Sequence, residues 1–312
     1  MYSVNMLRFV YGQYDPIESK DCQLAALKDL RGRLWERYRK ELDTQSIMKE
    51  FEKRGDINYG NFYDVVMSSL YLTPETSHWA EKNQLLWREI PLFLDIMPNG
   101  KAIHIIRDPR SVLLSFKKYT NAPKPAYLGA VFNCLDSMLC ALEYQNQLPR
   151  DRYRCIVYEE LARNPQHVID QLWKFLGLQS GFDVFDRSEW VDAYGNPWYS
   201  NSTAQENSKK DSFNIEKSFT RWKSKLSESE VQFVEGVCGK ALCEFDYSRI
   251  SNEIDWPKTL KLIASDETIF QFFQNWIITG RGVQAFPTDP LNRENWEKKV
   301  SDEQKIQEEK KP

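Results

Sequence analysis

The chain has 312 residues, 41% of them hydrophobic and 13% aromatic, which is enough apolar surface for a sizeable core and excludes global disorder. Its 42 Lys and Arg stand against 45 Asp and Glu, a net charge of −3, which excludes a generally basic nucleic-acid binder and leaves room only for a local basic pocket. No run approaches the roughly eighteen consecutive apolar residues of a membrane span.

In chain order, the first hundred residues read as helical. Leu24, Leu27, Leu30, Leu34, Trp35, Tyr38 and Leu42 recur at helical spacing with charges between them. Phe62–Leu72 predicts a shorter helix stopped by Pro74, and Leu85–Met97 another, ended by the turn signal Pro98-Asn99-Gly100. The run Ala102–Ile106 is short, apolar and bounded by that turn, the pattern of a strand buried in a parallel sheet. Asp108 as N-cap and Pro109 at the first helical position open a helix. A long helix follows over about 127–147, then a strand over Tyr153–Tyr158, then a helix over Pro165–Leu176 with Gly177 just past its end. Alternating strand and helix predicts a three-layer α/β/α domain with a central parallel sheet.

Residues 186–213 are polar and irregular, as binding or moving loops are. Ser227 followed three residues later by Glu230 is a capping box. An apolar helix is expected around Ile269–Ile278, and residues 293–312 read as a solvated helix or frayed tail. This divides the chain into a main domain over 1–250 and a C-terminal helical extension and charged tail over 251–312. Cys22, Cys134, Cys140, Cys155, Cys238 and Cys243 are scattered, and Cys134, Cys140 and Cys155 fall in apolar patterns, so buried thiols are favoured over disulfides. None of His78, His104 and His167 lies beside a cysteine pair, so no metal site is indicated.

The segment Ile105-Ile106-Arg107-Asp108-Pro109-Arg110-Ser111-(x3)-Ser115 carries the chemistry. Arg107 is expected at the C-terminal end of a buried strand, where open α/β sheets bind ligands. The helix that Asp108 begins brings free backbone amides and the positive end of its dipole beside that arginine. Ser111 and Ser115 lie one turn apart on a single face. Arginine, amides and a hydroxyl facing one point suit a phosphate dianion. The competing reading is a well-capped helix with Arg107 as a surface ion-pair partner.

This segment and its neighbours resemble the sulfotransferases that use 3′-phosphoadenosine-5′-phosphosulfate (PAPS). The strand followed by Arg107-Asp108-Pro109-Arg110-(x4)-Ser115 is similar to their 3′-phosphate motif, and the resemblance implies that Arg107 and Ser115 hold that phosphate. Trp79-Ala80-Glu81-Lys82 resembles the family's Glu-Lys element. Tyr158-Glu159-Glu160-Leu161, Asn164-Pro165 and Phe175-Leu176-Gly177-Leu178 resemble its Tyr-Glu-x-Leu, Pro and Phe-Leu-Gly-Leu run. Asn201-Ser202 and Arg221-Trp222-Lys223-(x2)-Leu226 fall where the family has a nucleotide-covering loop and an Arg-Trp-(x3)-Leu helix.

The resemblance implies in-line sulfuryl transfer from PAPS to a hydroxyl or amine, without a metal. It implies Glu81 as general base, with His78 a weaker candidate, and Lys82 as an acceptor-orienting cation. Tyr158, Ser202 and Arg221 are implied nucleotide contacts, whereas Trp222, at helical spacing with Phe219 and Leu226, reads as packing. The family's N-terminal strand and phosphosulfate loop, a relative of the Walker loop, have no counterpart here, and the fold is expected without them. A catalytically silent nucleotide-binding paralogue is therefore the alternative function, and a nucleotide kinase relative a third. The acceptor is left open among a glycan, a tyrosine, a lipid and a small alcohol, and no nucleic-acid partner is expected. Met1–Arg8 has no signal peptide, which points to the cytoplasm unless a preceding segment carries a membrane anchor.

Overall fold

In the computed structural model, which describes residues 4–74, 76–119, 125–179 and 219–285, the amino-terminal stretch is helical as its spacing predicts. After the short α1 (Met6–Phe9) come α2 (Lys20–Tyr38), α3 (Thr44–Arg54) and α4 (Tyr59–Tyr71). Asp43 caps α3 by accepting the Ser46 N–H at 3.0 Å, and Asn58 caps α4 by accepting the Asn61 N–H at 2.9 Å. Leu27, Leu30, Ile47, Phe51, Phe62 and Val66 are buried between these helices. A side chain at Gly60 would place its Cβ 2.0 Å from the Ile96 carbonyl oxygen, so only glycine fits there. The described residues up to Gln84, with Asp95–Pro98, make one unit; Leu85–Leu94 and those from Asn99 onward make a second.

The helix expected over Leu85–Met97 is a 3₁₀ turn at Trp87–Glu89 running into α5 (Ile90–Ile96). In the second unit, β1 (Ala102–Ile106) leads into α6 (Pro109–Tyr119) and α7 (Gly129–Gln147), and the chain returns as β2 (Tyr153–Val157). The two strands pair in parallel, with Ala102 opposite Tyr153 and Ile106 opposite Val157. Tyr158 starts α8 (Tyr158–Arg163) rather than ending the strand. Then follow α9 (Pro165–Leu176), α10 (Trp222–Lys225), α11 (Glu228–Glu244), α12 (Trp256–Leu260) and α13 (Glu267–Thr279). Gly177 closes α9 at φ 75°, the left-handed position that favours glycine.

Helices lie on both faces of the parallel sheet. On one, Tyr153 packs edge-on against Tyr144 of α7 at 5.7 Å and His104 bonds Ser137 of the same helix. On the other, Arg154 donates to Gln171 of α9, while Ile103 and Ile105 of β1 remain exposed. The fold is thus helix-rich α/β with a parallel sheet. Its main core lies where α7 meets α11, with Phe132 and Phe233 edge-to-face at 5.7 Å and both wholly buried. The capping box is formed: Ser227 Oγ accepts the Glu230 N–H at 3.2 Å, and Glu230 accepts the Ser227 N–H at 2.7 Å. Glu230 also takes Lys117 at 2.8 Å and the Tyr127 hydroxyl. Burial alone would raise its carboxyl, but Lys117, Tyr127 and Ser227 outweigh that and hold it below the usual range.

His104 is buried on β1, its ring nitrogens 3.0 Å from the Tyr153 hydroxyl and 2.8 Å from Ser137 Oγ. Burial lowers its pKa to about 4, so it is neutral in the folded chain. Between the unfolded value near 6.5 and the folded one, the unfolded chain binds the extra proton, so stability falls as pH drops through that window. We predict that the unfolding free energy of the native chain, relative to His104→Gln, shrinks by up to about 3 kcal/mol between pH 7 and pH 4. Urea titrations across that range check it, and a constant difference would contradict it.

Candidate active site

The C-terminal ends of both strands are stitched together by charged side chains. Arg107 leaves β1 and places its guanidinium carbon 4.4 Å from the ring centroid of Tyr158, which leaves β2. The next residue of each pair continues the seam. Glu159 accepts the Asp108 backbone N–H at 3.1 Å through one oxygen and the Tyr247 hydroxyl at 2.6 Å through the other. Burial, and the nearby Glu159 charge, raise the Tyr247 hydroxyl far above its usual range, so it acts only as a donor.

Behind Arg107 lies a buried ion network that no local pattern in the sequence signals. Arg110, only 3% exposed, donates to Asp108 at 2.9 Å, to Glu235 at 2.8 Å and to the Ser248 carbonyl at 2.9 Å. Its guanidinium carbon sits 4.2 Å from the Trp222 ring centroid. Glu235 also accepts the Ile250 and Ser251 N–H groups at 3.0 and 2.9 Å. Burial alone would raise the Glu235 carboxyl, but those amides and Arg110 outweigh it and hold the group below the usual range. Of the two arginines in Arg107-Asp108-Pro109-Arg110, Arg110 is therefore structural and Arg107 is the one left at the sheet edge.

The same geometry corrects one expectation. Two amides predicted to be free for an anion are engaged: that of Asp108 by Glu159, and that of Arg110 by the Asp108 carboxylate at 2.9 Å. Ser115 Oγ donates to the Ser111 carbonyl at 3.1 Å. Ser111 is 4% exposed, and among the described residues its hydroxyl has no hydrogen-bond partner. A buried hydroxyl left without a partner costs roughly 1–3 kcal/mol. Cys134 lies close enough to feel Asp108 and Arg107, yet burial first, and Asp108 next, push its thiol up to about 12.

The segment after residue 218 closes against this edge. Phe219 meets the Tyr158 ring edge-on at 6.3 Å, with Arg163 5.1 Å from the Phe219 centroid. Arg221, exposed at the N-terminus of α10, thus stands between Phe219 on Tyr158 and Trp222 on Arg110. Trp222 is core, as its spacing predicts. Ser202 lies outside the described residues.

Glu81 and Lys82 belong to the first unit. Glu81 accepts the Asn5 N–H at 2.7 Å, the Tyr63 hydroxyl, and the Asn83 amide at 3.2 Å. Trp79 donates to Asp64 at 3.0 Å and stacks at 5.2 Å on Tyr63, so the loop carrying Glu81 is pinned to α4 at adjacent residues. Lys82 and His78 are exposed. Among the described residues no cluster of His, Cys, Asp and Glu is placed to hold a metal ion, and no helix is long and apolar enough to cross a membrane.

The parallel sheet places Arg107 and Tyr158 just past the C-terminal ends of its two strands, the position at which open α/β folds bind ligands. A family model described as the sulfotransferase family matches residues 15–183, more than half of the chain, and the chain belongs to that family. Carbohydrate sulfotransferase 5 of Mus musculus is 25% identical over 53% of this chain and 46% of its own length. Carbohydrate sulfotransferase 1 of Danio rerio is 24% identical over 66% of this chain and 54% of its own. The chain thus spans about half the length of these curated relatives. A solved sulfotransferase domain from the curacin biosynthetic pathway aligns with 70% of this chain and 78% of its own, at 20% identity and a TM-score of 0.45.

Two substitutions one residue apart should act in opposite directions. Arg110→Ala leaves Asp108 and Glu235 buried without their cation and is predicted to cost about 3–5 kcal/mol. Ser111→Ala removes a hydroxyl with no partner and is predicted to leave the fold unchanged or stabilise it by about 1 kcal/mol. Chemical denaturation of both variants checks the pair; equal losses would contradict it.

Proposed function

We propose that this chain transfers a sulfuryl group from PAPS to an acceptor, and that the acceptor is a hydroxyl of a glycan. The observation that carries the reading is Arg107 just past the C-terminal end of β1, followed four residues on by Ser111, whose buried hydroxyl has no partner among the described residues. That pair fits a phosphate: a guanidinium fork supplies charge and directed N–H groups, and the hydroxyl supplies a further donor. Family membership supports sulfuryl transfer, and the names of the relatives support a carbohydrate acceptor.

When bound, PAPS supplies the sulfuryl group and the leaving phosphate. Arg107, Ser111 and Ser115 would hold the 3′-phosphate, and Tyr158 would offer an aromatic surface to the adenine. Arg221, and Ser202 by resemblance, would cover the nucleotide. Of the three residues on the 3′-phosphate Arg107 contributes most, since a cation on a dianion outweighs neutral donors.

Glu81 is proposed as the base that takes the acceptor's proton. Its carboxylate is oriented by Asn5, Tyr63 and Asn83, and the oxygen that accepts only from Asn5 retains a lone pair. Lys82, exposed beside it, would orient the acceptor.

Two variants test the two halves of this reading. Arg107→Ala should weaken binding of the desulfonated nucleotide, 3′-phosphoadenosine 5′-phosphate, at least tenfold by calorimetry, about 1.4 kcal/mol. Equal affinity in both proteins would refute the site. Glu81→Gln should retain the nucleotide affinity while lowering sulfuryl transfer to a glycan by about 10²-fold or more in a radiolabel assay. Transfer within tenfold of the native rate would remove Glu81 as the base.

A further inference from the structure

The second unit holds a cleft of about 890 Å³ that the donor site does not use. It lies on the outer side of α7. Cys134, which senses Arg107, is on one side of that helix, whereas Asp136, Cys140, Glu143 and Tyr144 line the cleft from the opposite side. Tyr144 packs on Tyr153, which pairs with Ala102 at the start of both strands. Arg107 leaves the other end of β1, about 13 Å of strand away. The cleft and the proposed donor site are therefore at opposite ends of the sheet.

One wall is built rather than accidental. Residues 281–285 follow α13 as an extended strap tied to α7 and to the Trp87–Glu89 turn. A Cβ at Gly282 would fall 2.0 Å from the Phe132 carbonyl oxygen, so the strap touches the helix backbone directly. The Val283 N–H reaches that carbonyl at 3.2 Å. The Asn133 side-chain amide both donates to and accepts from the Ala285 backbone at 2.8 Å. Gln284 accepts the Arg88 N–H at 3.0 Å and donates to Glu89 at 2.9 Å. This strap presents Arg281 to the cleft, opposite Arg88.

The lining is unbalanced in its hydrogen bonds. The Asp136 carboxylate is buried and accepts three hydrogen bonds, from Trp87 at 2.7 Å and from Arg88 at 2.7 and 2.8 Å. Glu143 takes Gln147 at 3.2 Å and Arg281 at 3.3 Å. The cations are not saturated. Arg88 gives two of its N–H groups to Asp136, and Arg281 makes one long contact, while both side chains are about half exposed, at 48% and 50%. Both guanidinium groups act on the same buried thiol: burial first, then Asp136, push Cys140 up to about 11, and Arg88 and Arg281 oppose that rise. Two half-exposed guanidinium groups lining one cleft, each with N–H groups that no described residue takes, suit an oxyanion. Tyr144 and Phe272 add ring surface and Asn275 a side-chain amide, a mixture suited to a sugar.

We infer that this cleft is a second, non-catalytic binding site for an acidic saccharide, gripped by Arg88 and Arg281 through a carboxylate or sulfate on its ring. The saccharide part rests on the glycan reading above; the anion part rests on the surplus donors. Here the ligand docks away from the sulfuryl transfer and takes no part in it.

The test titrates the full chain with a sulfated, uronate-containing tetrasaccharide, and separately with 3′-phosphoadenosine 5′-phosphate. Arg281 is half exposed on a strap held by its neighbours, so Arg281→Ala should fold. It should weaken saccharide binding at least tenfold and leave nucleotide affinity unchanged, with Arg281→Lys recovering part of the loss. Desulfated and carboxyl-reduced forms of the tetrasaccharide identify which anion is gripped: the form lacking it should bind at least tenfold more weakly. Unchanged saccharide affinity in Arg281→Ala would overturn the inference, as would equal binding of a tetrasaccharide lacking both anions. If the native chain binds the nucleotide and no saccharide, this inference falls and the donor reading stands. If it binds the saccharide through Arg281 and no nucleotide, the donor reading falls and the second site stands.

Discussion

A guanidinium buried at the junction of three elements holds the second unit in the form its site requires. Arg110 bonds to Asp108 at the start of α6, Glu235 in the middle of α11 and the Ser248 carbonyl beyond that helix, under the Trp222 ring. Removing such charges from water is costly, and the cost is offset only when nearly every donor and acceptor finds a partner. Here Glu235 is completed by two backbone amides, and Asp108 caps its own helix. The positions of α6, α11 and the segment that carries Trp222 are therefore coupled: a shift of any one leaves a charge buried alone.

The network also decides which groups face the sheet edge. With Arg110 turned inward and the Asp108 amide taken by Glu159, the groups proposed to meet the anion at that edge are Arg107 and the two serines, with Tyr158 against the guanidinium. The cleft on the far side of α7 divides its charges differently. There a buried carboxylate, Asp136, is held by Trp87 and Arg88, and Arg88 and Arg281 keep N–H groups that no described residue takes. At the sheet edge a wholly buried ion pair stands behind a partly exposed arginine, whereas in the cleft the buried Asp136 is held by an arginine that is itself half exposed.

Much of this was legible in the sequence where local physics decides the outcome. The strand over Ala102–Ile106, the helix opened by Asp108-Pro109, the Ser227–Glu230 capping box and the stop at Gly177 rest on turn chemistry, capping and periodicity, which act within a few residues. The extra residue expected on β2 failed for a tertiary reason: Glu159 must turn toward Asp108 and Tyr247, so Tyr158 begins a helix. What could not be read was pairing across long separations. Arg110 and Glu235 are 125 positions apart, and neither residue's neighbours hint at the other. The cleft was likewise hidden, because its two arginines lie on segments that only the fold brings to one thiol.

The central claim is that the C-terminal ends of β1 and β2, clamped by Arg110 and Glu159, form the donor-nucleotide site. Hydrogen exchange of the backbone amides, with and without 3′-phosphoadenosine 5′-phosphate, tests it most directly because it reads location as well as binding. The account predicts slowed exchange concentrated over residues 107–116 and 158–163, with the strap at 281–285 unaffected. Binding that slows exchange elsewhere and leaves 107–116 unchanged would contradict it.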